Sequence, residues 1–229
     1  MALYAIGDSH LSLNSNKSME VFGVGWENYV ERLKEGFSEV GEEDTVVLCG
    51  DLSWGMSLQE AEKDFAFLDH EIPGEKWILK GNHDYWWGTA NKMNSFFQEK
   101  GFTHLHILHN NCALYGETAL CGTRGWFFEE NGSPHWEKVF NRELIRLEAS
   151  LKAAGEREKI CFLHYPPLYK GYRCDEIIEL LTRYGVTACC YGHLHGPSHR
   201  LAIQGMQNEV NYQLVAADFI GFKPKKILE

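Results

Sequence analysis

The chain has 229 residues with 22 Lys+Arg against 32 Asp+Glu, a formal charge of −10 that disfavours a general binder of polyanions. At 44% hydrophobic and 24% charged, with 22 Gly and 6 Pro, the composition is globular rather than disordered or fibrous, and one domain over residues 1–229 is expected. No apolar run approaches the roughly 18–20 residues of a membrane helix, and Met1 leads through a short apolar segment into Gly7 and Asp8, so neither a membrane anchor nor a signal peptide is expected.

Short β-rich runs alternate with helical patterns along the first half. Leu3–Gly7, Thr45–Cys49 and Lys76–Lys80 read as strands, with an amphipathic helix over Trp26–Val40 and a second over Ser57–His70. This βαβαβ wiring favours a parallel sheet. Ser57 followed by Glu60 resembles a capping box, and Leu58, Ala61, Phe65 and Leu68 recur at helical spacing. From Thr103 the segments shorten, with His109-Asn110-Asn111 as a turn signal before the strand-like Cys112–Tyr115 and Thr118–Gly122, which predicts a hairpin. Trp136–Ala154 predicts a long helix stopped by Gly155; Lys159–Leu163 a strand; Cys174–Tyr184 a helix stopped by Gly185; and Val186–Tyr191 another strand. Two late strands, His199–Gln204 and Val210–Ala216, flank a turn at Gly205, and the lysine-bearing tail Phe222–Glu229 reads as solvated. Two packed sheets with outer helices are the economical architecture. The seven cysteines include no CxxC pair, and Cys49, Cys121, Cys161, Cys189 and Cys190 sit in apolar strand-like runs. They read as reduced packing residues of a cytoplasmic protein.

Polar clusters follow strand after strand: Asp8-Ser9-His10, Gly50-Asp51, Gly81-Asn82-His83-Asp84, His164, and Gly192-His193-Leu194-His195. Because the carboxyl ends of strands in open α/β sheets converge on one crevice, these loops can deliver their side chains to one place. Beside His83 the inventory is Asp8, Asp51, Asn82, His10, His164, His193 and His195, a nitrogen and oxygen set that suits Mn, Fe or Zn better than Ca or Mg. These side chains are too many for one tetrahedral ion but fit two if a carboxylate bridges them, an arrangement suited to gripping a phosphoryl oxygen. Gly50, Gly81 and Gly192 would let the backbone turn sharply into the centre.

The ordered blocks DxH, GD, GNHD, H and GHxH, from Asp8 to His195, resemble the calcineurin-like metallophosphoesterase superfamily, with Gly50–Met56 and Gly81–Trp87 most like its small bacterial predicted phosphohydrolases. The resemblance implies an α/β fold, a four-layer α/β/β/α sandwich of two mixed sheets packed face to face with helices outside, holding two divalent or trivalent metal ions. It implies that Asp8, His10 and His195 hold one ion, that Asn82, His164 and His193 hold the other, and that Asp51 bridges them. His83, by the same resemblance, is a general acid or phosphate contact rather than a ligand. Ser/Thr protein phosphatases of the superfamily carry a DRG run after GD, whereas this chain reads Gly50-Asp51-Leu52-Ser53-Trp54-Gly55, which disfavours that activity. The acid that would pair with the catalytic histidine there is thereby absent, which leaves Asp84 or some other group to orient His83.

The leading expectation is a phosphoesterase acting on a small phosphomonoester or phosphodiester, in which a metal-bridging hydroxide attacks phosphorus and His83 protonates the departing alkoxide. A nuclease and a catalytically silent metal-binding scaffold are the alternatives; the acidic charge and the absence of a long basic stripe weigh against nucleic acid. Arg124, on the Gly-flanked loop Gly122–Trp126, is a candidate substrate contact with Asn82 and His83, because a guanidinium forks phosphate oxygens. Tyr85, Trp86 and Trp87 read first as packing for the next helix, Lys17 as an ordinary loop lysine, and His70, His104, His106, His109, His135 and His199 as surface or capped core residues.

Overall fold

The computed structural model describes residues 1–15, 17–126 and 134–229; the side chain of His135 lies outside the described residues. Four strands, β1 (Leu3–Ile6), β2 (Thr45–Leu48), β3 (Glu75–Ile78) and β4 (Leu105–Ile107), pair in parallel in chain order. The second sheet begins with the antiparallel hairpin β5 (Cys112–Tyr115) and β6 (Thr118–Thr123), after which β7 (Lys159–Leu163), β10 (Val186–Tyr191) and β12 (Val210–Leu214) follow in parallel. β11 (Gly205–Gln207) closes its far edge antiparallel to β12, and β8 (Leu168–Tyr169) with β9 (Tyr172–Arg173) forms a separate small hairpin.

The strand sequences explain the layering. In β1, Leu3 and Ala5 join Val47, Cys49, Leu120, Ile160, Phe162 and Cys190 in the layer between the sheets, while Tyr4 and Ile6 face the opposite way. Strands apolar on both faces need cover on both faces. Helices α1 (Tyr29–Gly36), α2 (Glu62–Ala66) and α3 (Ala90–Lys100) supply it for the first sheet through Leu33, Phe65, Met93 and Phe97, and α4 (Pro134–Ala153) and α5 (Asp175–Arg183) for the second through Leu147, Leu151, Ile177 and Leu181. The result is the α/β/β/α sandwich. All seven cysteines are free, and six of them are buried.

Several elements depart from the sequence-based expectation. α1 is shorter than Trp26–Val40, since Asn28 enters it from the left-handed region (φ 50°) and Gly36 lies against the Phe222 carbonyl, where any Cβ would collide. In the second helix Ser57 Oγ accepts the Glu60 N–H as a cap does, but the Glu60 carboxylate returns to Met56 N–H, and regular helix begins only at Glu62 before loosening into a π turn at Phe67–Glu71. α3 is an addition; Thr89 caps it, Met93, Phe96 and Phe97 form its buried face, and Gly101 stops it. The hairpin expected of Cys112–Tyr115 and Thr118–Gly122 does form, turning at Gly116-Glu117, and the turn at His109-Asn110-Asn111 links the two sheets. The strand expected over His199–Gln204 is replaced at its start by a 3-10 turn over Gly196–Leu201, which Pro197 opens with its fixed φ, and the following turn lies at Asn208-Glu209 rather than at Gly205. The tail is not solvated: β13 (Lys225–Leu228) pairs antiparallel with β1 and closes the edge of the first sheet.

Candidate metal centre

The loops after β1, β2, β3, β7 and β10 meet at one end of the sandwich. Backbone bonds lace them together before any side chain is considered: Asp8 N–H donates to Gly50 O (2.8 Å), His10 N–H to Asp51 O (2.9 Å), and Gly192 N–H to His164 O (3.1 Å). Asp8, His10, Asp51 and His193 all hold positive φ, between 44° and 72°, a costly conformation for residues with a Cβ that concentrates at functional sites. Gly50 turns at φ 83°, while Gly81 and Gly192 matter by absence of bulk, since a Cβ on either would run into the Asp51 or the Asp8 carboxylate.

Two overlapping groups of possible ligand atoms result, Asp8 with His10 and His195, and Asp8 with Asp51 and His164. His195 Nε2 lies 3.3 Å from Asp8 Oδ1 and 3.4 Å from His10 Nε2. Asp51 Oδ2 stands between the groups, 3.7 Å from His10 Nε2 and 3.5 Å from His164 Nε2. Asn82 Oδ1 meets His164 Nε2 at 2.6 Å, and His164 Nδ1 faces the Cys49 carbonyl at 3.0 Å. The His193 backbone N–H donates to both Asp8 oxygens at 3.0 Å, and its ring packs edge-on against His164 (5.1 Å) and Tyr165 (4.6 Å).

Burial dictates the protonation. It pushes His10 well below the usual imidazole range, with the neighbouring histidines adding to it, and takes His164 and His193 down to about 3. Burial would lower His195 as well, but Asp8 and Asp218 overcome it and hold the ring up to about 10. Burial, with Asp84 and Asp8 nearby, pushes the Asp51 carboxyl well above its ordinary value. The neutral imidazoles of His10, His164 and His193, a His195 ring that gives up a proton on binding, and crowded carboxylates are the donor chemistry a divalent cation takes, so the residues fit a metal.

Rings cover the site. Trp54 stacks on His10 (5.1 Å, 24° between planes) and lies 4.6 Å from the His83 ring, which also has His10 at 5.8 Å and the exposed Tyr85 at 6.1 Å. Trp26 meets His10 and His195 edge-on at 5.9 and 5.6 Å. Neither tryptophan stands in the five motif blocks, and neither is marked as a site residue by the sequence. Trp86 is a packing residue, set against Phe65 at 4.8 Å. Lys17 Nζ lies 5.8 Å from the Trp54 ring centroid. The Arg124 loop does reach the centre, since its carbonyl accepts the N–H of His164 (3.1 Å) and of Tyr165 (2.8 Å). Among the other histidines, His104 and His106 share Glu75 at 2.7 and 2.6 Å and His70 meets Asp69 at 3.2 Å, whereas His199 belongs to the site's surround through Asp218.

Asp84, expected to act beside His83, is taken up instead by the backbone of two loops. It is fully buried, and its oxygens accept from the backbone N–H of Asp51 (2.9 Å), Gly81 (2.7 Å), Leu52 (2.9 Å) and Ser53 (3.4 Å) and from the Trp86 indole (3.0 Å). With both oxygens occupied in this way it ties together the loops that carry Asp51 and His83. Asp84→Ala strands several buried donors, each costing about 1–3 kcal/mol, so a loss of more than about 3 kcal/mol is expected in urea unfolding of the metal-free protein. A change below about 1 kcal/mol would show that the loops hold themselves.

No match is found among curated proteins. Among solved structures, a protein of unknown function from Aquifex aeolicus is similar with a TM-score of 0.53 at 11% identity, covering 98% of this chain and 95% of that one. A protein from Thermus thermophilus has a TM-score of 0.49 at 12% identity over 99% and 97%, and a purple acid phosphatase from yellow lupin (Lupinus luteus) seeds 0.45 at 14% over 100% and 45%. The model of the calcineurin-like phosphoesterases matches residues 1–197, and the chain belongs to that family.

Proposed function

We propose that this chain hydrolyses a small phosphomonoester or phosphodiester at a centre of two metal ions of the Mn, Fe or Zn type. The observation that supports this best is the place of Asp51, whose Oδ2 stands within 3.7 Å of His10 and 3.5 Å of His164 while its Oδ1 accepts the His83 N–H at 2.7 Å. In this reading Asp8, His10 and His195 would hold one ion, Asn82, His164 and His193 the other, and Asp51 would serve both. When bound, the ions supply positive charge against the phosphoryl oxygens and acidify a water near neutral pH. His83, kept beside Asp51 by its own backbone N–H, gives a proton to the leaving oxygen. Nucleic acid is disfavoured as substrate by the −10 charge.

Hydrolysis of a chromogenic aryl phosphate monoester and diester, before and after metal removal and restoration, tests the proposal. Turnover lost on chelation and regained with Mn²⁺ or Zn²⁺ is expected; no turnover of either ester with metals bound would favour a silent scaffold.

Arg124 serves as phosphate clamp in this scheme. Its Nε is buried without a hydrogen-bond partner among the described residues, and its guanidinium lies 5.9 Å from the Tyr165 ring, which itself packs on His193. Charge-assisted bonds to phosphate are worth about 1.5–3 kcal/mol, so Arg124→Ala is expected to lower kcat/KM about 10–100-fold with metal content unchanged. Unchanged kcat/KM on every hydrolysed ester would show that Arg124 does not contact the substrate.

A further inference from the structure

The family model ends at residue 197, yet the chain beyond it is built into the centre. β12 lies in the second sheet and β13 in the first, so the segment between them must cross from one sheet to the other. It does so beside the loop that carries Asp8: Gly7 N–H donates to Val215 O (2.8 Å) and Ala217 N–H to Gly7 O (3.0 Å). Asp218 comes next. Its Oδ1 lies 2.9 Å from His195 Nδ1, and its Oδ2 accepts the Gly196 N–H at 3.0 Å and stands 3.1 Å from His199 Nε2, the last contact without hydrogen-bond geometry. Four residues on, the buried Phe222 packs edge-on against Trp26 (5.3 Å), whose ring touches both His10 and His195.

We infer that Asp218 is a positioning residue for the metal centre: it accepts the Nδ1–H of His195, fixing the ring so that Nε2 faces Asp8 and His10. A metal-ligating histidine whose second nitrogen donates to a carboxylate is held in one tautomer and one orientation, and loss of such a partner typically weakens metal binding about 10–100-fold. The geometry contains both halves of that arrangement, with Nδ1 on Asp218 and Nε2 3.3 Å from Asp8 Oδ1. Asp218 is only slightly exposed, at 6%, so water is a poor substitute for it. The role is therefore selective. Asp218 reaches the ring of His195, assigned to the first ion, and its removal should weaken that ion more than the other.

The inference rests on the two-ion reading above, and calorimetric titration of chelator-treated full-length protein with Mn²⁺ separates the two. Wild type is expected to take up two ions. Asp218→Asn, which keeps an acceptor for one N–H but loses the charge, is expected to bind one ion about 10–100-fold more weakly with the other unchanged within twofold. The visible absorption of the Co²⁺-loaded variant should differ from wild type, because the ligand field at that ion changes. Asp218→Glu, restoring the charge, should recover part of the affinity. Equal weakening of both ions would overturn the inference, marking Asp218 as a general support of the loops, as would unchanged affinity in Asp218→Asn with an unchanged Co²⁺ spectrum. Failure of wild type to bind two ions would overturn the two-ion reading and this inference with it, whereas normal wild-type binding with an unaffected variant overturns the inference alone.

Discussion

Asp51→Asn is expected to abolish turnover and, in the same protein, to make the metal-free fold more stable. The carboxylate is nearly inaccessible, lies between the two groups of donor atoms, and is pushed well above its ordinary pKa first by burial and then by Asp84 and Asp8. A carboxyl whose folded pKa is raised binds its proton more tightly in the folded chain than in the unfolded one, so its ionisation destabilises the fold as pH rises through that range. At neutral pH the metal-free protein carries this cost and the asparagine variant does not. Asn also keeps an oxygen for the His83 N–H, so the backbone of the loops is not stranded. Chelator-treated Asp51→Asn should therefore melt above chelator-treated wild type at pH 7–8. Metal reverses the order, because an ion that binds only the folded state stabilises it by mass action and the variant lacks the shared ligand. Removing several kcal/mol of transition-state stabilisation corresponds to a fall of about a thousandfold or more in kcat. Elemental analysis is expected to give two ions per wild-type chain and fewer in the variant. A single ion per saturated wild-type chain with full activity would end the bridging assignment.

The same crowding explains why the centre was legible in the sequence and its surroundings were not. Asp8, Asp51, Asn82, His164 and the two histidines of the last block each follow an apolar run, and the rule that carboxyl ends of strands share a crevice suffices to bring them together. Asp218 obeys the same rule, four residues after β12, but the strand expectation ran through Ala216 with no motif block behind it. Trp54 and Trp26 carry no such mark. The place of Trp54 over His10 depends on how the segments 11–13 and 53–55 are fastened, through the Leu11–Ser53 bridge and the buried Asp64 that takes both the Leu13 N–H and the Ser53 hydroxyl, and that of Trp26 on its packing against Tyr29 and Phe222. All but the Tyr29 contact are long-range pairings that local periodicity does not encode. Proximity in sequence misled at Asp84, where a carboxylate next to His83 suggested shared chemistry; the turn aims the two side chains at different tasks. Burial patterns failed at the tail for a related reason. β13 alternates too weakly to be read as a strand, and it exists because β1 presents an open edge to it.

His83→Ala is expected to keep both metals and lose the ability to expel poor leaving groups. The ring lies beside Trp54 at 4.6 Å and Tyr85 at 6.1 Å, and the tie between residue 83 and Asp51 is made by the backbone N–H, which alanine retains. Metal content and the position of Asp51 should therefore survive the substitution. A general acid contributes about 10²–10⁴-fold where the leaving oxygen needs a proton. An alkoxide leaving group needs one and a nitrophenolate hardly does. The loss in kcat should accordingly be large for alkyl phosphate esters and small for nitrophenyl esters, and a plot of log kcat against leaving-group pKa should be steeper for the variant than for wild type. If the loss is instead uniform across the series, His83 contacts the phosphoryl oxygens in the transition state, and the leaving oxygen takes its proton from elsewhere.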